Sequence, residues 1–408
     1  MIRHLAFLTA CIWMGLASLS ALSAQEMTAT ARVDADQSRI KDRWFGKTDI
    51  ELHLSQGVPF RVFTLANPPR LVLDFRTVDW SGLRAADLLA GTDALSNLRF
   101  GNFQPGWSRL VADLEGPMLP DEVTMRLNEA TGRAVLSITM AATEPDAFQA
   151  RAGAPQDALW PQPQPQQVPA PLVDDRFVVA IDPGHGGVDP GAERENVNEK
   201  ELMLMLAFEL REALLRSGVS DVVLTREADV FVSLEGRVAI AHRAGADVFI
   251  SLHADALSEG GAQGATVYVL SEAASDKATA HLAARHSRAD IIAGTDLTGS
   301  DDEVASVLLD LARQETEPRS EALAAALVKG MTQAGGPMNR RPLRNAGFSV
   351  LKSADIPSVL VEVGFLSSAR DLANLRDPTW RARMTGGMVH AIMTWRDGDA
   401  AKRPLVRQ

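Results

Sequence analysis

Between residues 49 and 139 apolar side chains alternate with polar ones, or cluster with β-branched and aromatic residues, in short runs: Asp49 to Leu54, Phe60 to Leu65, Arg70 to Phe75, Ser108 to Leu114, Glu122 to Leu127 and Arg133 to Thr139. A period of two is that of a strand with one covered face, and turn residues such as Asn67-Pro68-Pro69 and Gly116-Pro117 separate the runs. A small all-β sandwich is therefore expected over 28–142. The pattern then stops. Ala154 to Leu172 holds six prolines and five glutamines with almost no charge, and 143–175 reads as a semi-rigid linker.

Beyond the linker the period changes. Phe177 to Ile181 is a continuous apolar run, Glu199 to Ser217 has helical spacing closed by Gly218, and Asp221 to Leu224 is strand-like. A helix from Leu234 to Ala244 follows, then the runs Val248 to Leu252 and Ala265 to Leu270, and a long polar helical stretch from Ser271 to about Gly335. Phe348 to Leu351, the strand Ser358 to Val363 and a helix from Trp380 to Trp395 complete the series. Strands alternating with helices predict an α/β domain over 176–397, a mainly parallel sheet with helices on both faces, followed by a short tail over 398–408.

Composition changes this picture at the N-terminus. Arg3, the apolar run from Leu5 to Leu22 and the small residues Ser20, Ala21, Ser23 and Ala24 predict an export signal over 1–24, with no stable membrane anchor. Cys11 is the only cysteine among 408 residues, so the exported chain has neither a disulfide nor a thiolate metal ligand, and any metal falls to His, Asp or Glu. The formal charge of −11, one unit more negative once Arg3 is removed, argues against nucleic acid or an anionic membrane as the main partner.

Three apolar runs end in a reactive polar residue: Val178 to Ile181 leads to His185, Phe249 to Leu252 to His253, and Val359 to Val361 to Glu362. In an open α/β sheet, sites form beyond the carboxyl ends of the strands, so these side chains are expected to converge. Glu199, at the start of the helix after the Asp182-Pro183-Gly184-His185-Gly186-Gly187 loop, is the third ligand candidate. Two imidazoles and a carboxylate are a catalytic zinc set with a position left for water, and Glu362 fits the base that takes the water's proton. His53, His242, His281, His286 and His390 read as structural.

With these residues in hand, the downstream half resembles the zinc-dependent N-acetylmuramoyl-L-alanine amidases of the AmiA/AmiB/AmiC type. The resemblance runs through Val179 to Ala192, Asn198-Glu199-Lys200, Thr225-Arg226, Ser251 to Asp255 and Pro357 to Phe365. It implies zinc on His185, Glu199 and His253, Glu362 as the catalytic glutamate, and cleavage of the amide between N-acetylmuramic acid and L-alanine of the peptidoglycan stem peptide. The upstream half is similar to the AMIN domain through Pro69 to Phe75, which implies a wall-binding or septum-targeting module in a periplasmic enzyme of cell separation, with the linker giving reach.

In such amidases the segment matching 271–317 covers the active site until a LytM-type activator, EnvC- or NlpD-like, displaces it. On that resemblance Glu272, or as a second candidate Glu303, is expected to block the zinc, and Val304, Val307, Leu308 and Leu311 form an apolar stripe suited to packing or to a partner. Two other readings stand beside this one: a zinc peptidase acting on the stem peptide, and an inactive wall-binding protein that keeps the fold.

Overall fold

The computed structural model describes residues 30–406 apart from 77, 105, 129, 156–175, 220, 257–261, 272, 295–305 and 354. The expected export signal, most of the linker, and both Glu272 and Glu303 lie outside the described residues. So do Val304 and the side chains of Val307, Leu308 and Leu311. Among the described residues no helix is long and apolar enough to cross a membrane.

The N-terminal half is the expected pair of antiparallel sheets. One contains β1 (Arg39–Arg43), β2 (Lys47–Leu54), β8 (Ala134–Ala142) and β7 (Met118–Leu127) in that order. The other contains β3 (Phe60–Leu65), β4 (Arg70–Arg76), β6 (Trp107–Leu114) and β5 (Leu95–Gln104). Alternation sets the packing of the first sheet: Thr48, Ile50, Leu52 and Leu54 point inward from β2, and Ala134, Leu136, Ile138 and Met140 from β8. They meet Leu71, Leu73, Phe75, Leu110 and Ala112 of the second sheet in one apolar core.

The second sheet differs because every residue from Arg70 to Phe75 is buried. A strand buried on both faces has something covering its outer side. Here that is the C-terminal half: Phe63, Leu65, Val72 and Val111 form an apolar cluster with Val188, Phe231 and Ala293, Phe103 stacks on Phe231 at 5.6 Å, and Val188 N–H donates to Asn102 O at 3.1 Å. The start of the expected semi-rigid spacer is thus structured. The region read as linker from 143 begins with a helix, Pro145–Arg151, whose Phe148 sits in the sandwich core, and the two halves pack against each other.

The C-terminal half is built on a six-stranded sheet. Its members are β9 (Val178–Pro183), β10 (Asp221–Leu224), β11 (Val248–His253), β12 (Ala265–Leu270), β13 (Met338–Ala346) and β14 (Ser358–Glu362). The order across the sheet is β10-β9-β11-β14-β12-β13, with every pairing parallel except β12 with β14. One face is covered by α1 (Glu199–Arg216), by the buried part of α5 (Ser306–Gln333) and by α7 (Pro378–Val406) through Leu206, Leu210, Leu327, Met331, Met388 and Ile392. The other is covered by α2 (Leu234–Arg243) and α3 (Lys277–His286), with Ala241, Leu282 and Ala283 against Phe249 and Tyr268. Two further helices, α4 (Ala289–Ile292) and α6 (Ala369–Arg376), are short.

Candidate metal centre

The parallel register does the first part of the work. His253 at the end of β11 pairs directly with Glu362 at the end of β14, and Asp182-Pro183 at the end of β9 lie beside Ser251-Leu252. The loop leaving β9 then turns back over the strand ends. His185 takes a positive φ of 60°, a conformation a non-glycine residue holds only when its surroundings fix it. Two buried arginines supply that constraint. Arg226 donates to Pro183 O at 3.0 Å and Gly184 O at 2.8 Å, while Arg237 donates to His185 O at 2.8 Å and pairs with Asp182 at 2.7 Å. Gly184 has no alternative, because a Cβ there would stand 2.3 Å from the His253 ring.

Glu199 arrives from the first turn of α1, which Asn198 caps by accepting from Glu201 N–H. Its two oxygens accept from Ala192 N–H at 2.9 Å and Ala254 N–H at 2.8 Å. They also approach both histidines: Oε1 lies 3.0 Å from His253 Nδ1, and Oε2 3.2 Å from His185 Nε2. His185, Glu199 and His253 thus offer three ligand-type atoms within 4.8 Å of one another.

His185 Nδ1 is 2.8 Å from Asp189 Oδ2, a carboxylate that orients the ring and leaves Nε2 facing inward. Nε2 is buried and makes no hydrogen bond among the described residues, and the same holds for Glu362 Oε1. Buried polar atoms without partners are rare, and one aimed into a His/Glu cluster is suited to a metal ligand. The donor set fits Zn2+, and the site has no sulfur.

Charge separates the groups. Burial opposes ionisation of Glu199, but the close charge of His185, backed by the hydrogen bond with His253, holds its carboxylate well below the usual range. Burial disfavours a charged His185, yet Asp189 and Glu199 outweigh it and raise the imidazole to about 10. A proton and a metal compete for the same nitrogen, and the two carboxylates favour either cation. Burial and the neighbouring His286 lower His253 to about 3. Glu362 moves the other way: burial, reinforced by the charge of Glu199, pushes it well above the ordinary carboxylate range. Its Oε2 is fixed by Asp255 N–H at 2.9 Å, which leaves Oε1 as the working atom.

His286, read from sequence as structural, stands in this site. Carried at the last turn of α3, its Nε2 lies 3.7 Å from Glu362 Oε1 and 3.2 Å from Asp255 Oδ2, and its ring centre is 4.2 Å from that of His253. Arg285 beside it pairs with Asp255 and donates to Ala256 O at 3.1 Å. The space left between α3, α4 and the His185 loop is about 290 Å3, lined by His185, Asp189, Asp255, Arg285, His286 and Ile292. That is at the lower limit for a small-molecule pocket. The missed signal was long-range: His286 and Asp255 are 31 residues apart, and no local spacing joins them. Among the described residues the other histidines join no such cluster; His242, for example, meets Asp355 at 3.4 Å.

The sequence profile of the Amidase_3 family, described as N-acetylmuramoyl-L-alanine amidase, matches residues 179–394, and that of the AMIN domain matches residues 39–137. The chain is 28% identical over 366 residues to N-acetylmuramoyl-L-alanine amidase AmiC of Escherichia coli O6:H1, covering 85% of this chain and 86% of that one. It is 37% identical over 223 residues to AmiA of Escherichia coli K12, covering 53% of this chain and 75% of that one. Among solved structures it is similar to the catalytic domain of CwlV, an N-acetylmuramoyl-L-alanine amidase from Bacillus (Paenibacillus) polymyxa, at 28% identity and a TM-score of 0.40, covering 54% of this chain and 98% of that one.

Proposed function

This chain belongs to the N-acetylmuramoyl-L-alanine amidase family, whose members hydrolyse the amide between N-acetylmuramic acid and L-alanine in peptidoglycan, and from that premise we propose how its own residues act. His185, Glu199 and His253 hold Zn2+, and Glu362 is the catalytic acid and base. The observation that carries this reading is the buried Glu362 Oε1, without a hydrogen bond and beside three convergent ligand-type side chains.

Bound there, zinc supplies Lewis acidity towards the scissile carbonyl and lowers the pKa of a water molecule. Glu362 Oε1 takes the proton of the attacking water, a task its raised pKa favours, and passes it to the departing L-alanine nitrogen. Asp255 N–H holds the other carboxylate oxygen, so the proton moves at a fixed position. Asp189 keeps His185 oriented, and Arg226 and Arg237 keep its loop in the strained turn.

The enzyme is exported to the periplasm, acts in septum splitting and daughter-cell separation, and rests in a covered state until a LytM-type partner engages it. Support for the cover is geometric. A substrate amide must come within about 3 Å of Glu362 Oε1 to exchange a proton, and the His286 imidazole already occupies that approach at 3.7 Å. Helix α3 is held there at its other end as well, where Arg344 pairs with Asp276 at 2.7 Å.

Full-length wild type and His286→Ala, each with and without a LytM-type protein, are compared by dye release from labelled sacculi. His286→Ala is expected to raise release without the partner by about tenfold, the equivalent of a ~1.4 kcal/mol shift towards the open form. Release no faster than wild type would remove His286 from the resting block.

A further inference from the structure

The cover is not held by the catalytic half alone. Helix α4, which continues α3 after two residues, ends at the carbonyls of Ile291, Ile292, Ala293 and Gly294, the first of which also accepts from Gly294 N–H at 2.9 Å. The N-terminal sandwich supplies donors to all of them. Arg70 on β4 donates to Ile291 O at 2.5 Å, and Arg99 on β5 to Ile292 O at 3.0 Å. Arg109 on β6 donates to Ala293 O at 3.2 Å and to Gly294 O at 2.8 Å.

These arginines are built into the sheet. Arg109 is buried, pairs through two nitrogens with Asp74 at 2.5 and 2.9 Å, and lies 3.5 Å over the Phe103 ring. Arg99 is bidentate to Asp113 at 2.6 and 3.2 Å. Their carboxylate partners fix each guanidinium plane, and the nitrogens left over point at the α4 carbonyls as charge-assisted donors.

Packing acts at the same place. Ala293 is fully buried among Phe63, Leu65, Val72 and Val111 of the sandwich. Gly294 has a φ of +67°, and a Cβ on it would come within 3.0 Å of Val111 and 3.1 Å of Val72. From the other side, Asp290 accepts from Leu234 N–H at the start of α2, at 3.0 Å. The segment is therefore pinned between the two halves only a few residues after His286.

We propose that the Arg70, Arg99 and Arg109 face of the N-terminal sandwich is a latch that holds the 277–294 segment over the catalytic groups, so that the N-terminal half of the chain sets the resting activity of the catalytic half. This rests on the covered-site reading above and adds a surface to it: an opener has to separate the segment from the sandwich as well as from the active site. Binding of the sandwich in an orientation that disturbs β4, β5 or β6 loosens the cover.

The test uses the full chain with two variants that break the latch from opposite sides. Arg70→Ala/Arg99→Ala removes donors while leaving the buried Arg109–Asp74 pair, and Gly294→Val wedges the segment away from Val72 and Val111 without touching the sandwich. Arg43→Ala, which removes an exposed pair with Asp49 on the opposite sheet, is the control. Amide hydrogen exchange of 277–292 and dye release from sacculi without a partner are read on each, with His286→Ala alongside.

The latch predicts exchange in 277–292 faster by about tenfold and release raised about fivefold in both latch variants, with the control at wild-type values. A loosened sandwich would instead speed exchange in β2 and β8, which the latch leaves unchanged. Exchange in 277–292 at the wild-type rate in both variants overturns the latch, even where His286→Ala is active. Faster exchange with no rise in release, in the latch variants and in His286→Ala alike, overturns the covered-site reading beneath it.

Discussion

Glu362→Gln is expected to lower hydrolysis of sacculi about 10³-fold while the protein keeps its metal and its fold. The amide has nearly the shape of the carboxylate, so the strand-end position and the Asp255 N–H contact at 2.9 Å survive, but it cannot accept a proton from water. A factor of 10³ corresponds to roughly 4 kcal/mol of transition-state stabilisation. Stability should not fall, because Glu362 is a buried carboxyl beside Glu199 and a neutral side chain relieves that repulsion. Dye release, zinc content and the melting temperature check the three parts. Activity within tenfold of wild type would move the proton-transfer role elsewhere.

Glu199→Ala should be more damaging, and in a different way. The carboxylate serves both histidines and accepts from Ala192 and Ala254 N–H groups, so its removal takes away a ligand and leaves two buried donors unpaired. Each orphaned donor costs about 1–3 kcal/mol. Zinc content should fall to background, activity by more than about 10³-fold, and the melting temperature by several degrees. Chelation of wild type should abolish activity just as completely, but zinc should restore the chelated wild type and not the variant. Restoration of both would mean that Glu199 is not a ligand.

Much of this site was legible because it is made of strand ends. The runs before His185, His253 and Glu362 are apolar apart from Ser251, which marks interior parallel strands, and such strands bring their carboxyl ends together whatever the intervening loops do. The sandwich strands showed themselves by alternation where one face is wet, as in Lys47–Leu54 and Ala134–Ala142.

What escaped was of two kinds. Edge strands carry charge to discourage further pairing, so Met338–Ala346, with Arg340, Arg341 and Arg344, shows no strand pattern in the sequence. Contacts between distant segments leave no local period at all. His286 meets Asp255 and Glu362 only because α3 packs across the sheet, and α4 is a single turn whose meaning lies in arginines from the other half of the chain. One trace of that packing was present: Leu71-Val72-Leu73 is apolar on three consecutive residues, where a half-exposed strand would alternate, and the outer face that carries Val72 is the one that meets the cover.

The proposed chemistry turns on which bond is cut and by which residue, and mass spectrometry of the peptides released from sacculi answers both. With the LytM-type partner present, wild type should release intact stem peptides bearing a free L-alanine amine and leave glycan strands stripped of peptide, while Glu362→Gln should release none. Peptides cut within the stem, or the same products from Glu362→Gln as from wild type, would contradict it.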